Sequence, residues 1–363
     1  MDLTPTAQEG VTAAASTKAA PFLRDIWYFA LLSRDLKPGK VINKTLLGEP
    51  IAFGRTEKGE IFALRDLCPH RGVPLSAGRI AGETVECPYH GWRFGADGGC
   101  RLIPSLVPDQ EIDASRIRVR RYPVHEANGL VWIWMSADER FSGEPPEVPP
   151  KLALTPEQRP GLVERQLFPC PIDHAVVGLM DPAHGPFVHN IWWWRTSASI
   201  HAKAKNYGPS HRGFTMLPHP PSKNGGLYKL IGGKPITEIV FELPGLRYEI
   251  ITAGKKRVFG FTACTPLTEN ETEVTQVFFW NIGWAGLLRP LLQPIARTFL
   301  GQDRRMVTYQ AENLKYDPRL MLIRDADVPA MWYFRLKKEW AAARAENRPF
   351  VNPVPTTTLR WRS

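Results

Sequence analysis

The sequence has few cysteines and no long uninterrupted apolar run. Its five cysteines among 363 residues form an odd, sparse set, which excludes a disulfide framework. No apolar run approaches the roughly 20 residues that cross a bilayer. The N-terminus also lacks the basic and apolar regions of a secretory signal. We therefore expect a cytoplasmic protein.

The most apolar segment covers residues 284–300. Pro290, Pro294 and two arginines interrupt it. A core helix, a subunit interface and a contact with a membrane surface all stay open, although amphipathic helices usually face a protein core.

The chain also lacks a basic block, although its net charge is +10. Because Lys and Arg are scattered, we do not expect nucleic acid as a partner. The charge could attract an acidic electron-transfer protein or an acidic substrate, or it could reflect only a solvated surface.

The chain divides by composition. Residues 1–20 are rich in Ala and Thr and poor in large apolar side chains, which predicts a disordered tail. Short apolar runs between turn residues predict an all-β domain over 21–140. Prolines crowd residues 141–160 and disfavour regular helix or central strand, so a linker is expected there.

The remaining residues, 161–363, mix helix and strand. The predicted helices are 172–181, 299–314 and 330–345, and the predicted strands of one antiparallel sheet are 236–241, 247–252, 258–265 and 274–280. Strands bracketed by helices favour an α+β fold.

Two short loops each offer one cysteine and one histidine. Cys68 and His70 are followed by Cys87 and His90 in the pattern C-x-H-x16-C-x2-H. A Rieske [2Fe–2S] cluster needs this inventory, two thiolates on one iron and two imidazoles on the other. A structural zinc site is the alternative, but finger-type sites place both cysteines in one arm.

A second pair of histidines indicates another metal. His184 and His189 are five residues apart, so on a continuous helix their side chains would diverge. We expect the helix to end at Gly185-Pro186, because the residue before proline avoids helical geometry. Two histidines and one carboxylate would suit a non-haem Fe(II) with open positions for dioxygen. Asp303 is the candidate carboxylate.

The segments around both cluster loops resemble the Rieske domain of ring-hydroxylating oxygenase α subunits. They contain the family phrases CPHRG, from Cys68, and CPYHGWRF, from Cys87. Respiratory Rieske proteins instead carry an extra cysteine in each loop. The catalytic part of the chain resembles the same family, which has the pattern D-x2-H-x4-H, here Asp181, His184 and His189. The family also supplies an Asp from a later helix. Asp303 is the candidate for it, and Asp317 and Asp325 are the alternatives.

This resemblance implies a Rieske domain followed by a catalytic domain of helix-grip, START-like fold. The single chain looks closer to the monooxygenase, O-demethylase and pheophorbide-oxygenase branch than to the αβ dioxygenases, although it lacks the late CxxC pair of the pheophorbide oxygenases. Asp181 would bridge His184 and the His90 of a neighbouring subunit, which implies a homotrimer. Gly178 stands where the family often has Asn.

The resemblance also implies the partners and cofactors. A ferredoxin and/or flavin reductase would supply electrons, with NAD(P)H used only indirectly, to a [2Fe–2S] cluster and a mononuclear Fe(II) that uses O2. The rival function is a Rieske electron-transfer protein with a ligand-binding domain and no catalytic iron. Three irons per chain would indicate the oxygenase and two the carrier.

Aromatic residues near the histidines and on one strand predict an apolar substrate pocket. The candidate lining residues are Phe187, Trp192, Phe279 and Trp280. They favour a bulky substrate, either polycyclic or sterol-like. An aromatic acid is the rival, with Arg195 or His211 meeting its carboxylate.

Overall fold

The computed structural model describes residues 22–107, 109–110, 112–189, 198, 200–221 and 232–363. These residues fall into two compact units. The N-terminal unit comprises residues 22–161 together with 265–273, and the C-terminal unit comprises 162–264 and 274–363. Residues 141–161 thus belong with the N-terminal unit.

The N-terminal unit contains three small sheets in the described residues. Its strands are β1 (Ile26–Leu32), β2 (Lys40–Leu46), β3 (Glu49–Arg55), β4 (Ile61–Arg65), β5 (Arg79–Ala81), β6 (Thr84–Glu86), β7 (Arg93–Gly95), β8 (Cys100–Leu102), β9 (Arg121–Tyr122), β10 (Val124–Ala127) and β11 (Leu130–Met135). The sheet orders are β1-β11-β10, β2-β3-β4-β9 and β5-β6-β7-β8.

Continuous apolar runs form the central strands of this unit. Every residue of β1 and β11 is buried, as expected for strands covered on both faces. The cluster motif lies in loops next to the sheet β5-β6-β7-β8, one between β4 and β5 and the other between β6 and β7. Short hairpins therefore fix the ends of both loops.

The C-terminal unit contains an eight-stranded antiparallel sheet with helices. Its strands are β12 (Leu162–Phe168), β13 (Ala202–Ser210), β14 (Gly213–His219), β15 (Ile236–Glu242), β16 (Leu246–Ala253), β17 (Lys256–Thr268), β18 (Glu271–Trp280) and β19 (Thr357–Arg362). Its α-helices are α1 (Ile172–Met180), α2 (Gly185–Val188), α3 (Arg289–Leu314) and α4 (Val328–Ala345). The strand order is β12-β18-β17-β16-β15-β14-β13-β19.

Helix α4 packs on the sheet through large aromatic side chains. Trp332 is 2% exposed, and its ring meets Tyr207 of β13 and Phe214 of β14 edge-on, with centroids 5.6 and 5.3 Å away. A helix packed against an antiparallel sheet is the helix-grip arrangement, so the predicted α+β fold is confirmed.

The apolar segment 284–300 lies in the C-terminal unit. A 3-10 turn at Gly283–Leu288 leads into α3, which begins ten residues earlier in the chain than predicted. Pro290 fits the first turn, where its missing N–H would have no helical partner. Among the described helices, none is both long and apolar enough to span a bilayer.

Candidate metal centres

The two cluster loops have the same backbone hydrogen bonds. In one, the N–H of Cys68 donates to the carbonyl of Val73 (2.9 Å), and the N–H of Gly72 donates back to Cys68 (2.7 Å). Cys87 repeats the pattern with Trp92 (2.8 Å) and Gly91 (3.1 Å). Both glycines have φ of +70°, a conformation that favours glycine.

These loops bring the four candidate ligands together. Both cysteines are buried, and neither forms a disulfide. The imidazole rings of His70 and His90 lie 4.5 Å apart, centre to centre. The loop geometry therefore presents two thiols and two imidazoles in one place, as the spacing predicted.

The charge state of this site fits a metal cluster. Burial, together with the neighbouring Cys87 thiol, raises the pKa of Cys68 to about 11. Two adjacent buried thiols would resist losing their protons in the absence of a cation. The Trp92 ring stacks on His70 at 4.7 Å, and its buried Nε1 has no hydrogen-bond partner in the described part of the chain. An acceptor such as a cluster sulfide would suit this environment.

The second site gathers His184, His189 and Asp303. The Nε2 atoms of the two histidines are 3.2 Å apart, and Asp303 Oδ1 is 3.2 Å from His189 Nε2 and 3.7 Å from His184 Nε2. Cis ligands that are each about 2.1 Å from one ion lie about 3 Å apart. The three side chains therefore suit a single metal ion. The reserve candidates Asp317 and Asp325 are not part of this group.

Hydrogen bonds fix the tautomer of each histidine. His184 Nδ1 donates to the main-chain carbonyl of Asp181 (2.8 Å), and His189 Nδ1 donates to Gln302 Oε1 (3.0 Å). Each Nε2 is then an unprotonated lone pair. Burial also lowers the pKa of His184, against the pull of Asp303 and then Asp181. Two lone pairs and a carboxylate oxygen converge on one point, which a cation would stabilise.

Gln302 was missed in the sequence. It directly precedes Asp303 on α3. A polar residue next to a predicted ligand is a weak signal, because neighbours on a helix usually point in different directions. Here the long amide side chain reaches His189, while the aspartate beside it reaches the Nε2 atoms.

The chain path between the histidines differs from the prediction. Helix α1 ends at Met180, one residue before its predicted end, and Asp181 has an extended backbone because Pro182 follows it. Gly185-Pro186 opens the new turn α2, and proline is tolerated there because it lies at the start of that turn. His189 ends the turn at φ −97° and ψ 42°, outside helical geometry.

Asp181 contacts His184 mainly through its backbone. Its carboxylate accepts a hydrogen bond from the N–H of Ala183 (2.7 Å) and lies 3.8 Å from His184 Nδ1. Burial raises the pKa of this carboxyl group. The predicted carboxylate bond to the histidine is therefore replaced, in the isolated chain, by a carbonyl bond.

A cavity of about 470 Å³ opens beside the three metal ligands, all of which line it. Its walls are mostly apolar and include Phe241, Phe278, Trp280 and Leu292. Trp280 thus lines it as predicted. Its volume lies in the range of sites for small organic molecules.

Of the other three predicted pocket residues, two lie elsewhere than on the cavity wall, and the third is outside the described residues. Phe279 is fully buried on the opposite face of β18, where its ring meets Phe259, because successive residues of a strand alternate in direction. Phe278 lines the cavity instead. Phe187 is 65% exposed and does not line the cavity. Trp192 lies outside the described residues.

Of the two candidate contacts for an acidic substrate, the structure describes only His211, which does not reach the cavity. His211 is exposed in the turn between β13 and β14 and is absent from the cavity wall, and Arg195 lies outside the described residues.

Comparison with known proteins identifies the cluster domain. Residues 26–123 match the family model of the Rieske [2Fe-2S] domain. The chain therefore contains a Rieske [2Fe-2S] domain. Its four cluster candidates all lie inside the matched range.

Relatives of this Rieske protein include oxygenases. Chlorophyllide a oxygenase of Chlamydomonas reinhardtii is 35% identical over 170 residues, which cover 46% of this chain and 24% of the relative. The 3-chlorobenzoate-3,4-dioxygenase oxygenase subunit of Comamonas testosteroni is 38% identical over 136 residues, covering 37% of this chain and 31% of the relative. The matches therefore span about a quarter to a third of these relatives.

The whole fold matches a solved Rieske oxygenase. Dicamba monooxygenase bound to dicamba superposes with a TM-score of 0.71 at 23% identity, over 90% of this chain and 100% of that one. The resemblance stated from the sequence is thus confirmed: this Rieske protein has the fold of the Rieske non-haem iron oxygenases.

Proposed function

We propose that this Rieske protein is an oxygenase that uses O2 and electrons from a ferredoxin and/or flavin reductase. It would hydroxylate, demethylate or otherwise oxidise a bulky apolar or aromatic substrate. The observation that carries this proposal is that His184, His189 and Asp303 all line one mostly apolar cavity. The rival electron carrier with a ligand-binding domain could also have a cavity, but it would not need three metal ligands on the cavity wall.

Each residue then has a definite task. Cys68, His70, Cys87 and His90 would hold the cluster, and His184, His189 and Asp303 would hold the mononuclear iron. The bound iron would supply dioxygen activation, which protein side chains cannot provide alone. The apolar walls exclude water from the reaction and hold the substrate beside the metal ligands.

Asp181 would link the two centres in a homotrimer. Its carboxylate lies close to the imidazole of His184 without being hydrogen-bonded to that ring. That oxygen is therefore available to the His90 of a neighbouring subunit. Such a bridge would keep electron transfer short while the substrate cavity stays within one chain.

Iron stoichiometry tests the proposal. The wild-type protein, loaded with iron, should contain three irons per chain, two of them in the cluster. Asp303→Ala should reduce this number to two and leave the visible and EPR spectra of the cluster unchanged, because the substitution removes one of three ligands in the other unit.

A matched control separates ligand loss from general damage. Asp317→Ala removes an exposed carboxylate beyond the end of α3 and should keep three irons. A saturated wild-type protein with only two irons would contradict the proposal and favour the electron carrier. Three irons in Asp303→Ala would show that Asp303 is not a ligand.

A further inference from the structure

The sheet side of the cavity carries basic side chains away from the metal ligands. Lys203 and Lys205 both line the cavity, because alternate residues of β13 point to the same face. The ammonium of Lys203 donates to Ser363 Oγ at 2.8 Å. The surroundings of Lys205 are different.

Lys205 is half-buried without a carboxylate partner in the described residues. Its Nζ donates to the main-chain carbonyl of Pro220 at 3.2 Å, and no described Asp or Glu oxygen lies within 4.0 Å of it. Burial lowers the pKa of this ammonium, and no acidic group offsets the effect. A charge that has lost part of its solvent without gaining a counter-ion is less stable than in water, and an anionic ligand would offset that loss.

Neighbouring groups do not neutralise Lys205. Glu249 also lines the cavity, but Arg247 binds its Oε2 at 2.9 Å. His219 lines the wall near Lys205, and its Nδ1 lies 2.8 Å from the carbonyl of Leu217. Burial and then the Lys205 charge lower the pKa of this histidine. Among the described residues, this part of the cavity therefore has a positive charge that no carboxylate within 4.0 Å compensates.

We propose that the cavity takes an apolar ring compound bearing one anionic group of the carboxylate class, which the Lys205 ammonium binds. The inference rests on the proposed function, since it names the substrate class of that site. It favours an acidic aromatic molecule over a neutral sterol, because the neutral molecule would leave the ammonium desolvated and unpaired.

A pair of probes that differ by one charge tests this inference. The holoprotein would be titrated at pH 7.5 with 2-naphthoate and with neutral 2-naphthamide, and binding would be measured by calorimetry. We expect 2-naphthoate to bind about tenfold or more tightly than the amide, as for a hydrogen bond to a charged group. The two probes share one ring system, so burial of apolar surface is matched.

Variants assign the preference to one side chain. Lys205→Met should weaken 2-naphthoate binding by about tenfold and change 2-naphthamide binding little, whereas Lys205→Arg should retain most of the preference. Lys255→Met removes an equal charge from an exposed turn outside the cavity and should bind both probes like the wild type.

Three outcomes would overturn the inference: equal or tighter binding of 2-naphthamide by the wild type, a preference that survives in Lys205→Met, or binding of neither probe at millimolar concentration. The wild-type comparison alone is decisive if Lys205→Met does not fold. None of these measurements needs turnover. A protein that contains three irons but does not prefer 2-naphthoate would therefore contradict only this inference. A protein that contains only two irons but prefers 2-naphthoate would contradict the proposed function and support the anion site.

Discussion

At the scale of single residues, the two histidines of the mononuclear site are oriented by neutral acceptors. The carbonyl of Asp181 and the amide oxygen of Gln302 each accept a hydrogen bond from one Nδ1. Such partners fix the tautomer and direction of a ligand without adding charge to the metal site. The negative charge at this site therefore comes from the carboxylate of Asp303 and, further from the metal position, from that of Asp181 beside His184.

Replacing Gln302 should weaken iron binding. Gln302→Leu removes the acceptor at His189 Nδ1, so the ring can rotate or exchange tautomers, and we expect iron affinity to fall about 10- to 100-fold. Competition with a chelator measures this loss. Gln302→Glu keeps an acceptor and should retain iron, and the cluster spectrum should be the same in both variants. Unchanged affinity in Gln302→Leu would mean that the hydrogen bond does not orient the ligand.

The buried carboxyl group of Glu242 should make stability depend on pH. Burial raises its pKa from the ordinary 4.5, against the opposing effect of Arg212. The folded protein then binds this proton more tightly than the unfolded chain, so the contribution of Glu242 to stability falls as the pH rises from about 4.5 through the folded pKa.

Glu242→Gln should remove this pH dependence. The variant should be more stable than the wild type at pH 8, where the wild-type group is charged, and the gain should shrink near pH 4.5. Urea unfolding at both pH values measures it. Glu312→Gln, at an exposed position on α3, serves as the control and should change little. A Glu242→Gln variant destabilised at pH 8 would contradict the expectation.

The metal-binding residues could be predicted because their chemistry requires particular residue types at particular spacings. Cys68, His70, Cys87 and His90 come together through two short loops, so local sequence determines most of their geometry. Lys205 and Gln302 could not be predicted in this way. Their roles depend on which side chains the sheet and α3 bring to one cavity, and no local pattern encodes that.

At the scale of elements, the sequence predicted the central strands and late helices but missed the sheet edges. The predicted strands at 236–280 form β15 to β18, whose apolar residues are well marked. Strands β13 and β19 pair with each other at one edge and are rich in charged and polar residues. Their pairing joins residues about 150 positions apart, which a local pattern does not reveal.

One position on β18 shows the cost of a register error. A shift of one residue exchanges the two faces of a strand, so the prediction at Phe279 selected the core while Phe278 and Trp280 line the cavity. Both faces of this strand carry aromatic residues. Composition could not distinguish them, and only the position of α3 does.

Helix α4 should be a large contributor to the stability of the C-terminal unit. Trp332→Ala leaves a cavity against Tyr207 and Phe214, and we expect a loss of about 3–5 kcal/mol in the free energy of unfolding. Lys338→Ala, on the exposed side of the same helix, should cost no more than about 0.5 kcal/mol. Denaturant unfolding compares them, and equal losses would mean that the aromatic contacts do not anchor the helix.

At the scale of the whole molecule, the N-terminal unit is not continuous in sequence. Residues 265–273, at the turn between β17 and β18, belong to it. Thr265 donates a hydrogen bond to the carbonyl of Phe29 (2.8 Å), and the N–H groups of Leu47 and Gly48 donate to the carbonyls of Pro266 and Leu267 (2.9 and 2.8 Å). The composition of residues 141–160 gives no indication that residues 265–273 belong to the N-terminal unit. A domain boundary predicted from composition therefore missed this second segment.

A fragment of residues 22–161 should therefore be less stable than the same unit in the full chain. It loses the partners of Phe29, Leu47 and Gly48, which leaves polar groups near buried strands without hydrogen bonds. We expect the cluster absorption of the fragment to be lost at a lower temperature. Joining residues 265–273 to its C-terminus by a Gly/Ser linker should restore part of the difference. A fragment as stable as the full chain would show that these bonds contribute little.

This shared hairpin limits how such a protein can be recombined. A chimera that exchanges the Rieske domain of two relatives at a single crossover near residue 161 would pair the new domain with a foreign 265–273 segment. These nine residues must be exchanged together with the domain, although more than a hundred positions separate them from the crossover. A chimera made by a single crossover should therefore be less stable than either parent. Residues 22–161 and 265–273 are expected to change together in evolution.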